Sequence, residues 1–141
     1  MANITLLIGC PGAGKSTFAS SKNFDIIIND DDIKDSNPNL SVSDIINIIT
    51  KKLDDIISET NTDTNVSVCV DAFVLTYFSV RFSELYDAEV VYIKKSLETC
   101  LSNNKKRNRH VSEDVIKSSY KYLEENKEFF SKTIKSFRVV K

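Results

Sequence analysis

Apolar residues fall into two kinds of stretch along this chain. Ile4-Thr5-Leu6-Leu7-Ile8, Asp25-Ile26-Ile27-Ile28-Asn29, Val66-Ser67-Val68-Cys69-Val70-Asp71 and Glu89-Val90-Val91-Tyr92-Ile93 are short runs dominated by Ile, Val and Leu. Such runs predict strands buried in a parallel sheet. Between them the spacing changes to that of a helix. Val42, Ile45, Ile46, Ile49, Leu53, Ile56 and Ile57 define one broad apolar face. Shorter helices are expected over residues 16–21, over Tyr77–Tyr86 with Phe78, Phe82 and Leu85 inward, and around Leu97–Leu101. A long last helix carries Ile116, Tyr120, Leu123 and Phe130, and residues 134–140 read as a final edge strand. Strands alternating with helices predict an α/β domain with a parallel sheet of four to five strands, flanked by helices on both faces and spanning 1–141.

Polar punctuation places the helix starts. Ser41 followed by Asp44 has capping-box spacing before the apolar face begins. Ser112 stands before Glu113 and Asp114, whose charges suit the N-terminal end of a helix dipole, and Val111 with Ile116 has the spacing of a hydrophobic staple. Ser36-Asn37-Pro38-Asn39 reads as a turn, and the polar stretch 60–65 ends the preceding helix.

The composition is that of an ordinary globular domain, 41% hydrophobic and 28% charged, with a formal net charge of −1. That balance argues against an extended electrostatic footprint on nucleic acid and leaves room for a local grip on one chain end. No apolar run approaches the ~18 residues of a membrane span, and the N-terminus lacks a basic region followed by an apolar stretch. No membrane partner is expected, and the expected location is the cytoplasm, or the host cytoplasm if the chain is phage-encoded. The three cysteines form no Cys-x-x-Cys pair, so neither a disulfide framework nor a zinc site is indicated.

Four stretches carry chemistry. Gly9-Cys10-Pro11-Gly12-Ala13-Gly14-Lys15-Ser16 has the spacing of a phosphate-binding loop between a strand and a helix. Its glycines let backbone N–H groups converge on one anion, and the following helix adds the positive end of its dipole. Gly9 through Thr17 are therefore expected to bind the nucleotide, ATP or another NTP. Lys15 reaches the β- and γ-phosphates and Ser16 offers a hydroxyl to Mg2+. Cys10 lies where the loop's field favours a thiolate, but we read it as a small residue that the turn tolerates. Asn29-Asp30-Asp31-Asp32 ends the second strand, at the sheet edge where open α/β sheets bind ligands. Asp31, flanked by Asp30 and Asp32, is expected to have a raised proton affinity, which suits a general base. Asp71 ends the third strand, an arrangement that holds magnesium directly or through water. Asn103 to His110 is the one concentrated basic stretch, expected to form a lid over about residues 103–111 that brings arginine to a transferring phosphoryl group.

The loop with its Cys-Pro, the Asn29-to-Lys34 segment, Asp71 and Asn104-Lys105-Lys106-Arg107 with the helix after it together resemble the 5′-hydroxyl polynucleotide kinase domain of bacteriophage end-healing enzymes. The resemblance runs through nearly the whole chain in order, without a phosphatase domain. It implies a P-loop kinase-like three-layer fold and ATP-dependent transfer of phosphate to the 5′-hydroxyl of DNA or RNA ends. It implies Asp31 as general base, Lys34 on the acceptor's terminal phosphate, Asp71 beside the triphosphate and magnesium, and Arg107 as the lid arginine, with Arg109 the next basic candidate. The chain departs from the pattern in having Lys34 where arginine is favoured, Asp30 where a basic residue is common, Asn103 in place of a second lid arginine, and Phe73 where relatives tend to carry Asn. Two alternatives stand beside this reading. One is a P-loop kinase acting on a small-molecule hydroxyl, of a nucleoside, sugar or nucleotide-sugar. The other is a nucleotide-regulated binding protein without turnover.

Overall fold

The computed structural model describes residues 1–60, 63–107 and 110–141. Five parallel strands form one sheet: β1 (Ala2–Ile8), β2 (Ile26–Asn29), β3 (Val66–Asp71), β4 (Glu89–Ile93) and β5 (Phe137–Val140), in the spatial order β2-β3-β1-β4-β5. Among the described residues, six α-helices accompany them: α1 (Lys15–Ser21), α2 (Asp30–Ser36), α3 (Val42–Glu59), α4 (Ser79–Tyr86), α5 (Leu97–Lys106) and α6 (Glu113–Thr133). A 3-10 turn over Phe73–Phe78 leads into α4. Strand β1 lies between β3 and β4, so the chain passes to one side of it for β2 and β3 and then reverses to the other side for β4 and β5. That reversal opens a crevice at the carboxyl ends of the strands, where ligands bind in sheets of this kind.

The unbroken apolar runs end up where their composition predicts. Leu6, Leu7 and Ile8 of β1, Val68, Cys69 and Val70 of β3, and Val90 and Val91 of β4 are fully buried. Helix α3 starts from the anticipated capping box, with Ser41 Oγ accepting from the Asp44 N–H and the Asp44 carboxylate accepting from the Ser41 N–H. Its Ile45, Ile49 and Leu53 are buried, while Val42 and Ile57, at its two ends, are exposed. Ser112 caps α6, its hydroxyl accepting from the Val115 N–H. The last strand is shorter than anticipated and begins at Phe137. Ile134 caps the end of α6 and is buried.

Three local expectations are corrected. The stretch from Tyr77 is not one helix: the turn through Phe78 is 3-10, and α4 begins at Ser79. Three residues per turn instead of 3.6 shifts the phase of the apolar stripe. Phe82 stays buried, but Phe78 and Leu85 are exposed. The acidic triplet, expected to end β2, is the first turn of α2. The basic segment expected to be a lid is not free of the fold at its start, because Asn103 to Lys106 form the last turn of α5. Among the described residues no helix is long and apolar enough to cross a membrane.

Leu53 anchors α3 on the sheet and is fully buried. Leu53→Ala should cost about 2–5 kcal/mol of stability, read from the urea midpoint at unchanged m-value.

Candidate active site

The phosphate loop is built by backbone angles that side chains resist. Gly12 and Gly14 take positive φ, 87° and 91°. At Gly12 there is no room either, since a Cβ would lie 2.5 Å from the Cys100 carbonyl oxygen. A turn closes from the Ala13 N–H to the Cys10 carbonyl at 3.0 Å, and α1 begins at Lys15. The side chains of Cys10, Pro11 and Ala13 are buried, so whatever these residues offer a ligand comes from their backbone. The Cys10 thiol is pushed far up by its hydrogen bond with Cys100 and by burial, which keeps it protonated. That direction runs against a thiolate and agrees with a small residue that the turn tolerates.

Beside this loop is an open cavity of about 340 Å³, walled by Gly12, Gly14, Lys15, Ser16 and Thr17 on one side and by Asn103, Lys106 and Arg107 on the other. The Asn103 side chain donates to the Gly12 carbonyl at 2.9 Å, tying the end of α5 to the loop. Asn104, buried, does the same for the segment that follows. Its amide donates to the Val111 carbonyl at 2.8 Å and accepts from the Val111 N–H at 3.1 Å. Two asparagines thus hold both ends of the basic segment. Arg109 lies outside the described residues. His110 is exposed.

A second, smaller cavity of about 80 Å³ adjoins the first. Lys15, Ser16, Asp31, Lys34, Asp71 and Arg107 all line it, so six of the residues singled out in the sequence meet there. Sheet register explains part of this convergence: Asn29 of β2 and Leu7 of β1 both pair with Asp71 of β3, at the same carboxyl edge. Ser16 Oγ donates to Asp71 Oδ2 at 2.8 Å, and Asn29 Nδ2 donates to the same oxygen at 3.4 Å. Asn29 also caps α2, its Oδ1 accepting from the Asp31 N–H at 2.8 Å. A hydroxyl and a buried carboxylate in contact are hard oxygen donors of the kind magnesium takes while keeping most of its waters. Among the described residues no group of three or more His, Cys, Asp or Glu side chains forms a cage, so the donor set fits an ion shared with phosphate oxygens.

The three carboxylates of the triplet have different surroundings. Asp32 is exposed and Asp31 half-buried. Asp31 Oδ2 lies 3.9 Å from Arg107 Nη2, and Arg107 lines both cavities. Asp30 is buried, its Oδ2 accepts no hydrogen bond, and the Lys34 ammonium stands 3.8 Å away. Burial pushes the Asp30 carboxyl above the usual carboxylate range; Lys34 opposes this, and the nearby Asp31 and Asp71 charges reinforce it. The raised proton affinity is expected at Asp31; the carboxyl that burial pushes up is that of Asp30.

The sequence pattern assigns no individual role to Asn29, nor to Asn103, Asn104 or Lys106 within the expected lid. Asn29 carries a legible signal, since asparagine before three acids is a strong helix start. The other three depend on where α5 ends relative to the phosphate loop, which no local pattern records.

No protein-family model and no curated protein matches the sequence. Solved structures do match. The chain is similar to shikimate kinase from Bacteroides thetaiotaomicron, at 14% identity and a TM-score of 0.58 over 96% of this chain and 85% of that one. It is similar to deoxyadenosine kinase from M. mycoides with bound dATP, at 18% identity and a TM-score of 0.62 over 96% and 89%. It is similar to a chain of the Pnkp1/Rnl/Hen1 RNA repair complex, at 21% identity and a TM-score of 0.66, covering 92% of this chain and 46% of that one. The chain has the α/β P-loop kinase fold.

Asp30 supplies a test of the site's electrostatics. Its folded pKa lies above the unfolded value of 3.8, so the native state holds the proton longer. The stability this contributes is full below pH 3.8 and is lost as pH rises through the folded value. Asp30→Asn does not titrate. Its stability relative to wild type should therefore increase across that window and level off at neutral pH, measured by urea unfolding at a series of pH values.

Proposed function

We propose that this protein is an ATP-dependent kinase, and that its acceptor is the 5′-hydroxyl of a DNA or RNA end. The observation that carries the reading is the convergence of Lys15, Ser16, Asp31, Asp71 and Arg107 on one small cavity beside the glycine loop. Phosphoryl transfer asks the protein for positioning and charge more than for covalent chemistry. The Gly12 and Gly14 turns aim backbone N–H groups at the phosphates, and Lys15 neutralises the β- and γ-groups. Magnesium, when bound at Ser16 and Asp71, supplies further positive charge to the phosphate oxygens. Asp31 faces this cavity from α2 and accepts the proton of the attacking hydroxyl. The acceptor oxygen bonds to the γ-phosphorus as the bond to the β–γ bridging oxygen breaks, and ADP leaves. Arg107, placed between the two cavities, carries positive charge to the group in transit. Its ion pair with Asp31 holds it at the site before an acceptor arrives.

The nucleic-acid end is favoured by Lys34, which stands one helical turn after Asp30 at the rim of the acceptor cavity, 37% exposed. A cation there suits the phosphate that follows a 5′-terminal nucleoside. The likeness to a chain of an RNA repair complex supports the same acceptor. A small-molecule hydroxyl is the second reading. The cavity is only about 80 Å³, and Asp30 offsets part of the Lys34 charge. The likeness to shikimate and deoxyadenosine kinases supports that alternative.

Mutation separates the roles. Lys15→Ala should abolish turnover. Arg107→Ala should lower kcat by about 10³ or more, with much less effect on ATP affinity. Asp31→Asn keeps shape and removes basicity, so it should leave Mg-ATP binding by calorimetry nearly intact and collapse transfer to a 5′-hydroxyl oligonucleotide. Collapse in Asp71→Asn with full transfer in Asp31→Asn would reassign the base to Asp71.

A further inference from the structure

A line of aromatic rings leaves the acceptor cavity and crosses the surface. Phe73, half-buried, lines that cavity. Its ring meets Tyr77 edge-on, at 6.4 Å between centroids. Tyr77 in turn packs against Tyr122 of α6 at 4.5 Å. Beyond these rings a shallow groove of about 540 Å³ opens between α4 and α6, with Phe78, Phe129 and Arg81 at its walls. Tyr77 is 47% exposed, Phe78 48% and Phe129 54%. The 3-10 turn over Phe73–Phe78 carries both rings, so the ring at the cavity and the ring at the surface touch.

We infer that this aromatic line binds the nucleotides that follow the 5′-terminal residue of a single-stranded nucleic acid, by stacking their bases. The inference rests on the end-kinase reading above and extends it to the acceptor's length and strandedness. Continuity with the cavity selects the occupant. A ligand whose hydroxyl lies at Asp31 and which passes Phe73 meets Tyr77 and Tyr122 next. Base stacking on aromatic rings tolerates any sequence and needs little net positive charge from the stacking surface itself. That matches a chain of formal charge −1. Arg81 gives the groove one cation, and Glu84 beside it keeps the charge low.

The test is fluorescence anisotropy with 3′-fluorescein oligothymidylates bearing a 5′-hydroxyl, comparing a dinucleotide with an octanucleotide. Wild type should bind the octanucleotide more tightly. Tyr77→Leu, which keeps apolar bulk over Tyr122 and removes the ring face, should lose about 5- to 150-fold in octanucleotide affinity per base unstacked. Tyr77→Phe should retain it. Dinucleotide phosphorylation, followed with labelled ATP, should be the same in all three proteins. Equal affinity for both lengths in wild type, or unchanged octanucleotide affinity in Tyr77→Leu, overturns the stacking surface while dinucleotide phosphorylation still upholds the end-kinase reading. Failure to phosphorylate any oligonucleotide, with length-dependent binding that Tyr77→Leu removes, leaves the surface standing and overturns the end-kinase reading instead. A wild-type dimer in sedimentation that Tyr77→Leu converts to monomer, without oligonucleotide binding, assigns the groove to a second copy of the chain and overturns the proposal.

Discussion

A phosphate group can be surrounded by backbone N–H donors only if the chain turns through left-handed angles, and here two glycines make that turn. Gly12 and Gly14 carry the positive φ values, and Gly12 also lies against the Cys100 carbonyl with no space for a side chain. The consequence extends beyond the loop. Because α5 touches the loop at Gly12, the Asn103 amide reaches the Gly12 carbonyl, and the end of α5 is held where Lys106 and Arg107 face the same space as Lys15. Asn104 then fixes Val111, which starts the approach to α6. One tight turn therefore positions both walls of the nucleotide cavity.

Charge is handled on the opposite side of the site by a division of labour among carboxylates. Asp71 is buried but accepts from Ser16 and Asn29, so its negative charge has partners before any cation arrives. Asp31 is half-buried against Arg107, available to an incoming hydroxyl. Asp30 has Lys34 at 3.8 Å, and burial with an Oδ2 that accepts no hydrogen bond makes its charged form unfavourable. Asn29 connects the three. Its oxygen starts the helix that presents Asp30 and Asp31, and its nitrogen reaches Asp71. A seven-residue helix capped in this way spreads adjacent acids over different faces, which limits their mutual repulsion.

Most of the architecture was legible because unbroken aliphatic runs and helical periodicity are local signals with strong physical causes. The strands, the α3 capping box and the Ser112 cap were all read from neighbouring residues. The glycine loop was legible for the same reason, since spacing alone specifies its turn. What escaped depends on phase or on distant contacts. Phe78 and Leu85 were placed inward on a helical period that a 3-10 turn interrupts at Ser79. The triplet read as a strand end, and its helical start at Asp30 turned one acid inward and another toward the site. Asn103 and Asn104 resembled loop residues, and their anchoring contacts lie 91 and 7 residues away. Lys34 was legible as a cation but not as one shared with Asp30.

The central claim is that one cavity joins a nucleotide's terminal phosphate to a hydroxyl at Asp31. Its most direct test is incubation of the wild-type protein with magnesium and γ-labelled ATP against 5′-hydroxyl oligonucleotides, nucleosides and small polyols in parallel. The account predicts label on the 5′ terminus of the oligonucleotides, and none on the same oligonucleotides already phosphorylated there. Label confined to nucleosides or polyols would contradict the acceptor assignment, and no label on any hydroxyl would contradict the kinase itself.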